Sequence, residues 1–412
     1  MTICIQNCRS CNSTDIEVVF DLGEQMLSGV FRSKNLLDII SGPLTLVMCN
    51  KCRLVQLQHS YPLDEMYNEG YGYRSGITEY MRRHLQEIIS FAKEKVSLKK
   101  GDNVLDIGAN DGTLLSHYPE GMYNRIGIDP VATKYLDKYP KDIKVISDYF
   151  TKKSYFSVTS EKSKIVTSIS MFYDLEKPMK FAQDISKVLS LDGVWVFEQS
   201  YLPMMLRQNS YDTICHEHLE YYSLAAIQYI VQQAGMTIID ASQNEINGGS
   251  IRLAVVHESN PLAALKVSPE VIWLTEQEKN QNIYSNHAFV TFQKNVNRQK
   301  SDLVRLLQVL KKSGKTVIGY GASTKGNVIL QYCSIGPDLL PCIGDITPFK
   351  DGVFTPGTKI PVISMEKAKA MEPDYFLVLP WAFRNDILLR EEKTLQEGTK
   401  FIFPLPFVEI VS

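Results

Sequence analysis

Two cysteine pairs near the start of the chain have the spacing of a metal site. Two residues separate Cys8 from Cys11, and two separate Cys49 from Cys52. A CxxC turn can point both sulfurs at one ion, and four thiolates match the tetrahedral preference of Zn²⁺. Four protein ligands leave no open coordination position, so we expect a structural zinc ion. The 37 residues between the pairs exceed the compact spacing, and an inserted loop such as LGEQMLSGVF would absorb the excess.

A second group of candidate residues lies in VLDIGANDGTLL, residues 104–115. A strand is predicted to end at Asp106, a loop with Gly108 and Gly112 follows, and a helix begins near Thr113. Glycines let the backbone approach a ligand closely, and open α/β sheets bind ligands at this end of their strands. The pattern DxGxxxG has fewer glycines than the dinucleotide fingerprint and an acid at the strand end. It therefore favours the positively charged S-adenosylmethionine over a dinucleotide.

Two later acids extend this predicted cofactor site. A second strand ends at Asp129 in RIGIDP, where a carboxylate can accept hydrogen bonds from both ribose hydroxyls. Asp148 in ISDYF is the candidate partner of the adenine amino group. A tight turn without a ligand is the alternative interpretation of the loop. The predicted cofactor-binding residues are Asp106, Gly108, Asn110, Gly112, Asp129 and Asp148.

The segment YDTICHEHLEYYS, residues 211–223, concentrates titratable side chains. His216, Glu217 and His218 are consecutive and follow Cys215. Histidine is the usual general base near neutral pH. A metal site is a weaker interpretation, because no further obvious ligands accompany the two histidines. A solvated polar loop without a catalytic role is the other alternative.

The elements that would position these residues alternate in type. Apolar spacing predicts a helix from Tyr80 to about Val96. NVLDI, NRIGID, KVI, KIVTSI and GVWVFEQ predict short buried strands, which indicates a parallel, doubly wound sheet. INGGSIRLAVV predicts a glycine turn and a strand, and a polar helical stretch follows from about Pro269 to Ser313. A second α/β run includes TVIGYGAS, PCIGDI, YFLVLPW and KFIFPLP.

The second α/β run has a glycine loop of its own, VIGYGASTKGN, residues 317–327. Lys325 and the hydroxyls of Ser323 and Thr324 suit a diphosphate near a helix N-terminus. A purely structural turn is the alternative. The later segment GDITPFKDG, which contains Lys350, is a candidate nucleoside contact. No convincing acid is evident at the ribose-binding distance, which argues against an NAD-dependent oxidoreductase.

Composition limits the classes of function. The chain has 412 residues, which predicts two or three domains. Its net charge of −2 provides no global attraction to nucleic acid or anionic membrane. No apolar run approaches the roughly 20 residues of a membrane span, and MTICIQNCRSCNS lacks the features of a signal peptide. We therefore expect a cytoplasmic protein whose eight cysteines are metal ligands or free thiols.

The order of the motifs resembles that of the sugar C-methyltransferases of deoxysugar biosynthesis, which act on nucleotide-linked 4-keto hexoses. The resemblance covers essentially the whole chain, through the CxxC pairs, YGYRSG, DIGANDG, CHEHLEYYS, NGGSIR and GYGASTKGN. It implies an α/β fold of three parts. These are a zinc-binding domain (1–66), a Rossmann-like S-adenosylmethionine-dependent methyltransferase domain (67–260) and a C-terminal Rossmann-like domain (261–412). It also implies a substrate cleft between the last two.

The resemblance implies roles for particular residues as well. The substrate would be a 4-keto-6-deoxyhexose linked to dTDP or GDP, and His218 matches the family's base, with Glu217 assisting. His218 would remove the C3 proton, and Tyr73 or Tyr222 would stabilise the enolate. C3 would then attack the methyl group held in line. The candidate catalytic residues are His216, Glu217, His218, Tyr73, Tyr173 and Tyr222, and the candidate substrate-binding residues are Asn247, Arg252, Ser323, Lys325 and Lys350.

The chain departs from the family pattern at two places. Cys215 stands where several members have tyrosine, and Phe172 or Tyr173 stands near a family histidine. Tyr173 is therefore a candidate for the second proton-handling group.

Three other functions compete with sugar methylation. An RNA methyltransferase would use the zinc module to grip nucleic acid, but no basic stripe is evident. An NAD-dependent oxidoreductase would use the C-terminal glycine loop. A non-enzymatic sugar-nucleotide-binding protein would have no need of the HEH cluster. We expect a monomer without nucleic-acid or membrane partners.

Overall fold

The computed structural model describes residues 2–33, 39–62, 74–264 and 267–412. The strands are β1 Ile3–Cys4, β2 Ile16–Met26, β3 Ser41–Cys49, β4 Val55–Leu57, β5 His59–Ser60, β6 Asn103–Ile107, β7 Asn124–Ile128, β8 Lys144–Ile146, β9 Ser163–Ile169, β10 Leu189–Ser200, β11 Glu220–Tyr221, β12 Met236–Asn244, β13 Ser250–His257, β14 Val317–Tyr320, β15 Ile343–Asp345, β16 Val362–Ser364, β17 Tyr375–Val378, β18 Lys400–Phe403 and β19 Glu409–Val411. The helices are α1 Glu79–Lys95, α2 Thr113–Ser116, α3 Lys152–Phe156, α4 Pro178–Val188, α5 Leu202–Arg207, α6 Leu224–Gln233, α7 Pro261–Ala264, α8 Pro269–Asn280, α9 Asn286–Lys312, α10 Thr324–Tyr332, α11 Met365–Ala370, α12 Arg384–Arg390 and α13 Glu392–Gln396.

The N-terminal part is built on an antiparallel sheet of order β11-β4-β3-β2. The segment expected to be an inserted loop instead begins inside β2, because its first five residues, 22–26, belong to that strand. β2 and β3 form a long pair with irregular register between Asp21 and Glu24. Two long strands thus account for about half of the residues between the cysteine pairs. The edge strand β11 comes from much later in the chain, with Glu220 opposite Gln56.

The central part contains a seven-stranded sheet of order β12-β13-β10-β9-β6-β7-β8. Strands β6 to β10 are parallel, as the alternating pattern predicts. β13 runs antiparallel to both β10 and β12, so the sheet is mixed. β6 is buried along its whole length, as expected for a strand covered on both faces.

Helix α1 covers this sheet close to where the sequence predicts it. Thr78 caps its start by accepting a hydrogen bond from the Met81 N–H at 3.3 Å. Its buried face includes Leu85 and Ile88, at the spacing of an amphipathic helix.

The C-terminal part has a six-stranded sheet of order β16-β15-β14-β17-β18-β19. Only β19 runs antiparallel to its neighbour. The predicted long helical stretch is two helices, α8 and α9, and Ser285 caps the start of α9. In this sheet β14 is flanked by β15 and β17, and in the central sheet β6 is flanked by β7 and β9. Each glycine loop therefore leaves its sheet where the strand order reverses, which is the usual place for a ligand.

The N-terminal part contacts both of the others. One apolar core joins its sheet to the C-terminal domain, and a second joins the zinc cysteines to the central domain. Asn327 of α10 donates a hydrogen bond to the Ser28 carbonyl at 2.7 Å, and Gln331 bonds both backbone groups of Met26. The boundaries near residues 66 and 260 stay predictions. Within the described ranges, no helix is long and apolar enough to cross a membrane.

Candidate active site

The four predicted zinc ligands meet in one cluster. The sulfurs of Cys8, Cys11, Cys49 and Cys52 all lie within 4.8 Å of one another, and none is in a disulfide. Zn–S bonds of about 2.3 Å place tetrahedral sulfurs roughly 3.8 Å apart, so the donor set fits Zn²⁺. Gln56 donates its side-chain N–H to the Cys8 sulfur at 3.3 Å, the kind of outer contact that stabilises a thiolate ligand.

A cavity of about 230 Å³, called here the smaller cavity, lies at the carboxyl ends of β6, β7 and β9. Four of the predicted cofactor residues line it, namely Asp106, Gly108, Asn110 and Asp129. Two others do not. Gly112 starts α2 with φ +75°, and a Cβ there would meet the Tyr139 ring at 2.6 Å. Asp148 is exposed beside Tyr149, which lines the cavity.

Three acidic residues, Asp106, Asp129 and Asp174, line the smaller cavity. Asp106 accepts a hydrogen bond from the Thr167 hydroxyl at 2.6 Å, and burial raises its pKa to about 7. Asp129 accepts backbone N–H groups of Asn110 and Val131 at 2.9 and 2.7 Å, and burial raises its pKa too. Buried carboxylates of this kind favour a ligand that brings positive charge. The cavity therefore fits the sulfonium and amino groups of S-adenosylmethionine.

A larger cavity of about 480 Å³ is lined by residues from all three parts of the chain. Met81 lines both cavities, so they adjoin. Among the predicted substrate residues, Asn247, Ser323 and Lys350 line the larger cavity, as does Glu217 of the HEH segment. Arg74, Tyr80, Asp345 and Arg390 also line it and were not identified from the sequence.

The C-terminal glycine loop forms one wall of the larger cavity. Ser323 caps α10 by accepting the Gly326 N–H at 3.0 Å. Asp345, at the end of β15, accepts the Ala322 N–H at 2.7 Å. The expectation that no acid follows this loop at the ribose-binding distance was therefore wrong. Lys350 donates to the Ala322 carbonyl at 2.6 Å, and burial lowers the pKa of its ammonium.

His218 lines neither cavity, but its sequence neighbour Glu217 lines the larger one. Its Nδ1 is 2.9 Å from the Thr213 carbonyl, which only accepts, so Nδ1 carries the hydrogen and Nε2 is the basic atom. Within the described part of the chain no group hydrogen-bonds to Nε2. Burial, together with the nearby charge of Lys325, lowers the pKa of His218 to about 3. The imidazole is therefore neutral near pH 7.

The neighbours of His218 connect it to both cavities. Glu217 lines the larger cavity, and burial raises the pKa of its carboxyl. Tyr173 packs on the imidazole with ring centroids 4.3 Å apart. Tyr173 belongs to a turn whose last residue, Asp174, lines the smaller cavity.

Three other predicted catalytic residues are placed differently. His216 faces the N-terminal sheet, where Nε2 donates to the Gly42 carbonyl at 3.2 Å and the ring meets Tyr61 edge-on. Tyr222 is buried in the core, stacked on Phe172, and lines neither cavity. Tyr73 lies outside the described residues.

Two predicted substrate residues do not line the larger cavity. Arg252 is on β13, where its Nε donates to Glu198 at 2.9 Å under helix α1. Glu198 also contacts His84, so these residues form a buried polar network. Lys325 donates from Nζ to the Asn247 carbonyl at 2.8 Å. This position differs from the one predicted beside a diphosphate.

Comparison with known proteins agrees with the fold. Three family models match the chain: a zinc binding domain over residues 8–67, a methyltransferase domain over 77–241 and a C-methyltransferase C-terminal domain over 245–406. The protein is thus a methyltransferase with a Rossmann-like catalytic domain, and S-adenosylmethionine and Zn²⁺ are its cofactors.

The succession of these three domains identifies the family. The chain belongs to the C-methyltransferases that combine a zinc-binding, a methyltransferase and a C-terminal domain. The C-methyltransferase NovU of Streptomyces niveus is 28% identical over 417 residues, which cover 99% of this chain and 97% of NovU.

Solved methyltransferases are similar over less than half of the chain. The N-methyltransferase NodS of Bradyrhizobium japonicum WM9, in complex with S-adenosylhomocysteine, is 15% identical, with a TM-score of 0.34 over 47% of this chain and 94% of NodS. The plantazolicin methyltransferase BpumL is 12% identical, with a TM-score of 0.36 over 43% of this chain and 84% of BpumL. Likenesses at this level carry no information about the substrate.

Proposed function

We propose that the protein methylates C3 of a nucleotide-linked 4-keto-6-deoxyhexose. The observation that carries the proposal is the neutral imidazole of His218, whose Nε2 has no described partner. His218 follows Glu217, which lines the larger cavity, and packs on Tyr173, which precedes Asp174 of the smaller cavity. The acidic smaller cavity suits the methyl donor. The larger cavity has room for a bulkier substrate, and Lys350 and Arg390 among its charged residues are the candidate partners of a diphosphate.

The reaction needs a base because carbon is a poor nucleophile. A ketone at C4 acidifies the hydrogen on C3, and Nε2 of His218 accepts that proton to leave an enolate. S-adenosylmethionine, when bound, would supply the methyl group: C3 would form the new bond to the methyl carbon, the methyl–sulfur bond would break, and the thioether S-adenosylhomocysteine would leave. Negative charge that develops beside the imidazole favours its protonated form, so the basicity of His218 rises as the reaction proceeds.

Two groups near the base are proposed to handle the enolate oxygen. Because burial raises the pKa of Glu217, this side chain can be protonated and donate a hydrogen bond into the larger cavity. Tyr173 is the second candidate, since its ring contacts His218. Tyr222 is the weaker candidate because its hydroxyl faces the Phe172 carbonyl, 3.5 Å away, in the core.

The substrate's nucleotide is proposed to lie against the C-terminal glycine loop. Ser323 at the start of α10 and Lys350 are the candidate diphosphate contacts, and Asp345 is the candidate ribose contact. dTDP and GDP are the proposed carriers. Binding of NAD⁺ at micromolar concentrations to this loop would instead favour the oxidoreductase interpretation.

Substitution of the base tests the proposed reaction. His218→Asn should lower kcat by a factor of about 100–10,000, the usual contribution of a positioned general base. Both ligands should still bind. With substrate and S-adenosylhomocysteine in D₂O, the wild-type enzyme should exchange the C3 hydrogen for deuterium and the variant should not.

His216→Asn is the matched control, because this neighbour faces Gly42 and Tyr61 and not the cavities. Its exchange rate should stay close to that of the wild type. Undiminished exchange in His218→Asn would assign the base to another residue. If no dTDP-, GDP- or CDP-linked 4-keto sugar is methylated by the wild type, the proposed substrate class is wrong.

A further inference from the structure

We propose that Arg74 binds the negatively charged group of the substrate in the larger cavity, and that Asp111 of the cofactor loop is the positioning residue that holds Arg74 in place. This assignment rests on the proposed function only for the identity of that group, the diphosphate of a nucleotide-linked sugar. Neither residue was identified from the sequence.

Two of the cations that line the larger cavity are paired with acids of the same cavity. The ammonium of Lys350 lies 3.9 Å from the Asp345 carboxylate, and Arg390 contacts the Asp386 carboxylate at 3.3 Å. Both acids line the larger cavity as well. An anion that approaches either cation therefore meets a carboxylate beside it.

Arg74 is a third cation on this cavity, and its partner lies outside the cavity. Its Nε donates to Oδ2 of Asp111 at 3.3 Å, and Asp111 is buried and lines neither cavity. No hydrogen bond among the described residues uses either Nη of Arg74. A guanidinium has five N–H donors in a fixed fork, so the two Nη groups remain for an anion.

The carboxylate of Asp111 is held by its own loop. Its Oδ1 accepts the backbone N–H of Thr113 at 3.3 Å and the Thr113 hydroxyl at 2.6 Å. Its Oδ2, which accepts Arg74, also accepts the Gly76 N–H at 3.1 Å. Asp111 therefore holds both the backbone of the segment before α1 and the guanidinium that this segment carries.

The glycine of this segment allows the close approach. A Cβ at Gly76 would meet Thr113 Oγ1 at 2.5 Å and Asp111 Oδ2 at 3.0 Å. The φ of Gly76 is not in the left-handed region, so its backbone conformation does not require glycine. The contact with the cofactor loop does require it.

The same segment, residues 74–78, connects the two cavities. Ser75 lines the smaller cavity, and its N–H donates to the Asn110 side chain at 3.0 Å. Arg74, Ile77 and Thr78 line the larger cavity. The loop that shapes the cofactor cavity thus also determines where a cation stands in the substrate cavity.

Calorimetry with dTDP and GDP tests the assignment of Arg74. Arg74→Gln should weaken binding of these diphosphates about 10- to 100-fold, the usual loss when hydrogen bonds to a charged group are removed. Affinity for S-adenosylhomocysteine should stay close to that of the wild type, because Arg74 does not line the smaller cavity. Equal binding in the two proteins, or no binding of either diphosphate by the wild type, would overturn the proposal.

Asp111→Ala tests the positioning role through the sign of its effect. If Asp111 merely neutralised Arg74, its removal should strengthen diphosphate binding. We expect binding to be about three- to tenfold weaker instead, because a released long side chain must be ordered again when the ligand binds. In the Arg74→Gln background, Asp111→Ala should have no further effect on diphosphate affinity. Stronger binding in the single variant, or an undiminished loss in the double variant, would refute the role of Asp111.

Asp142→Ala is the matched control. Asp142 also pairs with an arginine of the methyltransferase domain, Arg125, and neither residue lines a cavity. This variant should have a lower melting temperature and unchanged diphosphate affinity. If it weakens dTDP binding as much as Asp111→Ala does, lost stability explains both effects and the proposal fails.

Kinetics separate this assignment from the proposed function. With a sugar nucleotide that is methylated, Arg74→Gln should raise KM and leave C3 hydrogen exchange at saturating substrate close to that of the wild type. This is the opposite of the result expected for His218→Asn. A lower kcat with unchanged KM would overturn the assignment of Arg74. If no 4-keto sugar is methylated but the diphosphates bind as expected, the proposed function fails and the assignment of Arg74 stands.

Discussion

The methyltransferase domain and the C-terminal domain bend their glycine loops in the same way. Gly108 follows β6 with φ +74°, and its N–H donates to the Ile128 carbonyl at 2.8 Å. Gly321 follows β14 with φ +79°, and its N–H donates to the Gly344 carbonyl at the same distance. Both conformations are in the left-handed region that glycine adopts without strain.

The acid after the second strand is also shared. Asp129 accepts the Asn110 N–H at 2.9 Å, and Asp345 accepts the Ala322 N–H at 2.7 Å. Each carboxylate also accepts an N–H from the residue two positions further along the chain. The same pair of backbone-to-carboxylate hydrogen bonds, called here the polar frame, therefore closes both loops.

The two domains differ in the side chains around this frame. Two residues before the loop glycine, the methyltransferase domain has the buried acid Asp106 and the C-terminal domain has Gly319. The C-terminal domain has Lys350 and Arg390 on its cavity, each beside an acid, Asp345 and Asp386. The charged residues that line the smaller cavity are thus acids, whereas residues of both signs line the larger one.

The sharpest test of this comparison measures the binding of both ligands in variants of the two acids. Asp129→Ala should weaken S-adenosylmethionine binding by about 1.5–3 kcal/mol, because it removes hydrogen bonds to a charged acceptor. Asp345→Ala should raise the KM of the sugar nucleotide and leave cofactor affinity alone. Calorimetry and steady-state kinetics measure the two effects. If Asp345→Ala weakens the cofactor instead, the two cavities have been assigned to the wrong ligands.

Gly319→Ala tests why the C-terminal loop has no counterpart of Asp106. A Cβ at Gly319 would meet the Ile343 side chain at 2.6 Å. Overpacking of this kind costs about 1–3 kcal/mol, so the melting temperature should fall by several degrees. Gly336→Ala is the control, since its Cβ would meet nothing nearer than 4.0 Å. Equal melting temperatures would show that space does not exclude an acid there.

The pH dependence of cofactor binding is the smallest effect. Because burial raises the pKa of Asp106 to about 7, its carboxyl is protonated in acid and must lose that proton to bind a cation. Affinity for S-adenosylmethionine should therefore decrease as pH falls below 7, approaching tenfold per unit. Asp106→Asn should bind more weakly and without this dependence. A pH-independent affinity in the wild type, measured by calorimetry, would contradict a cationic contact at Asp106.

Local patterns predicted the strand and the glycine loop of the methyltransferase domain well. The strand β6, the glycine loop and Asp129 follow one another in a short segment, and their geometry depends mostly on that segment. The CxxC pairs are equally local. Helix α1 followed from its apolar spacing, since one face of it is buried on the sheet.

The side-chain positions that the sequence did not predict depend on long-range contacts. His216, Glu217 and His218 are consecutive, yet they face the N-terminal sheet, the larger cavity and the Tyr173 ring, respectively. Spacing along a turn does not encode these directions. Asp345 was missed because a longer connection separates β14 from β15, although its place at the end of the second strand was a usable signal.

Contacts between domains were even harder to predict from the sequence. The sequence pattern showed that Lys325 follows a strand and begins a helix, and a diphosphate was the natural partner for such a residue. Its actual contact is the Asn247 carbonyl, a backbone atom that has no signature in the sequence. The side chain of Arg252 likewise lies on the face of β13 where it donates a hydrogen bond to Glu198, a residue distant in the sequence.

The pairing of β11 with β4 has a consequence for the order of synthesis. All four zinc ligands lie within the first 52 residues, but the edge strand of their sheet is Glu220–Tyr221. On the ribosome, the metal can therefore be bound while the outer edge of β4 is still unpaired and open to incorrect partners. Emergence of residues 216–221 closes that edge and brings His218 into place. Protection of the edge strand and placement of His218 would then be the same event.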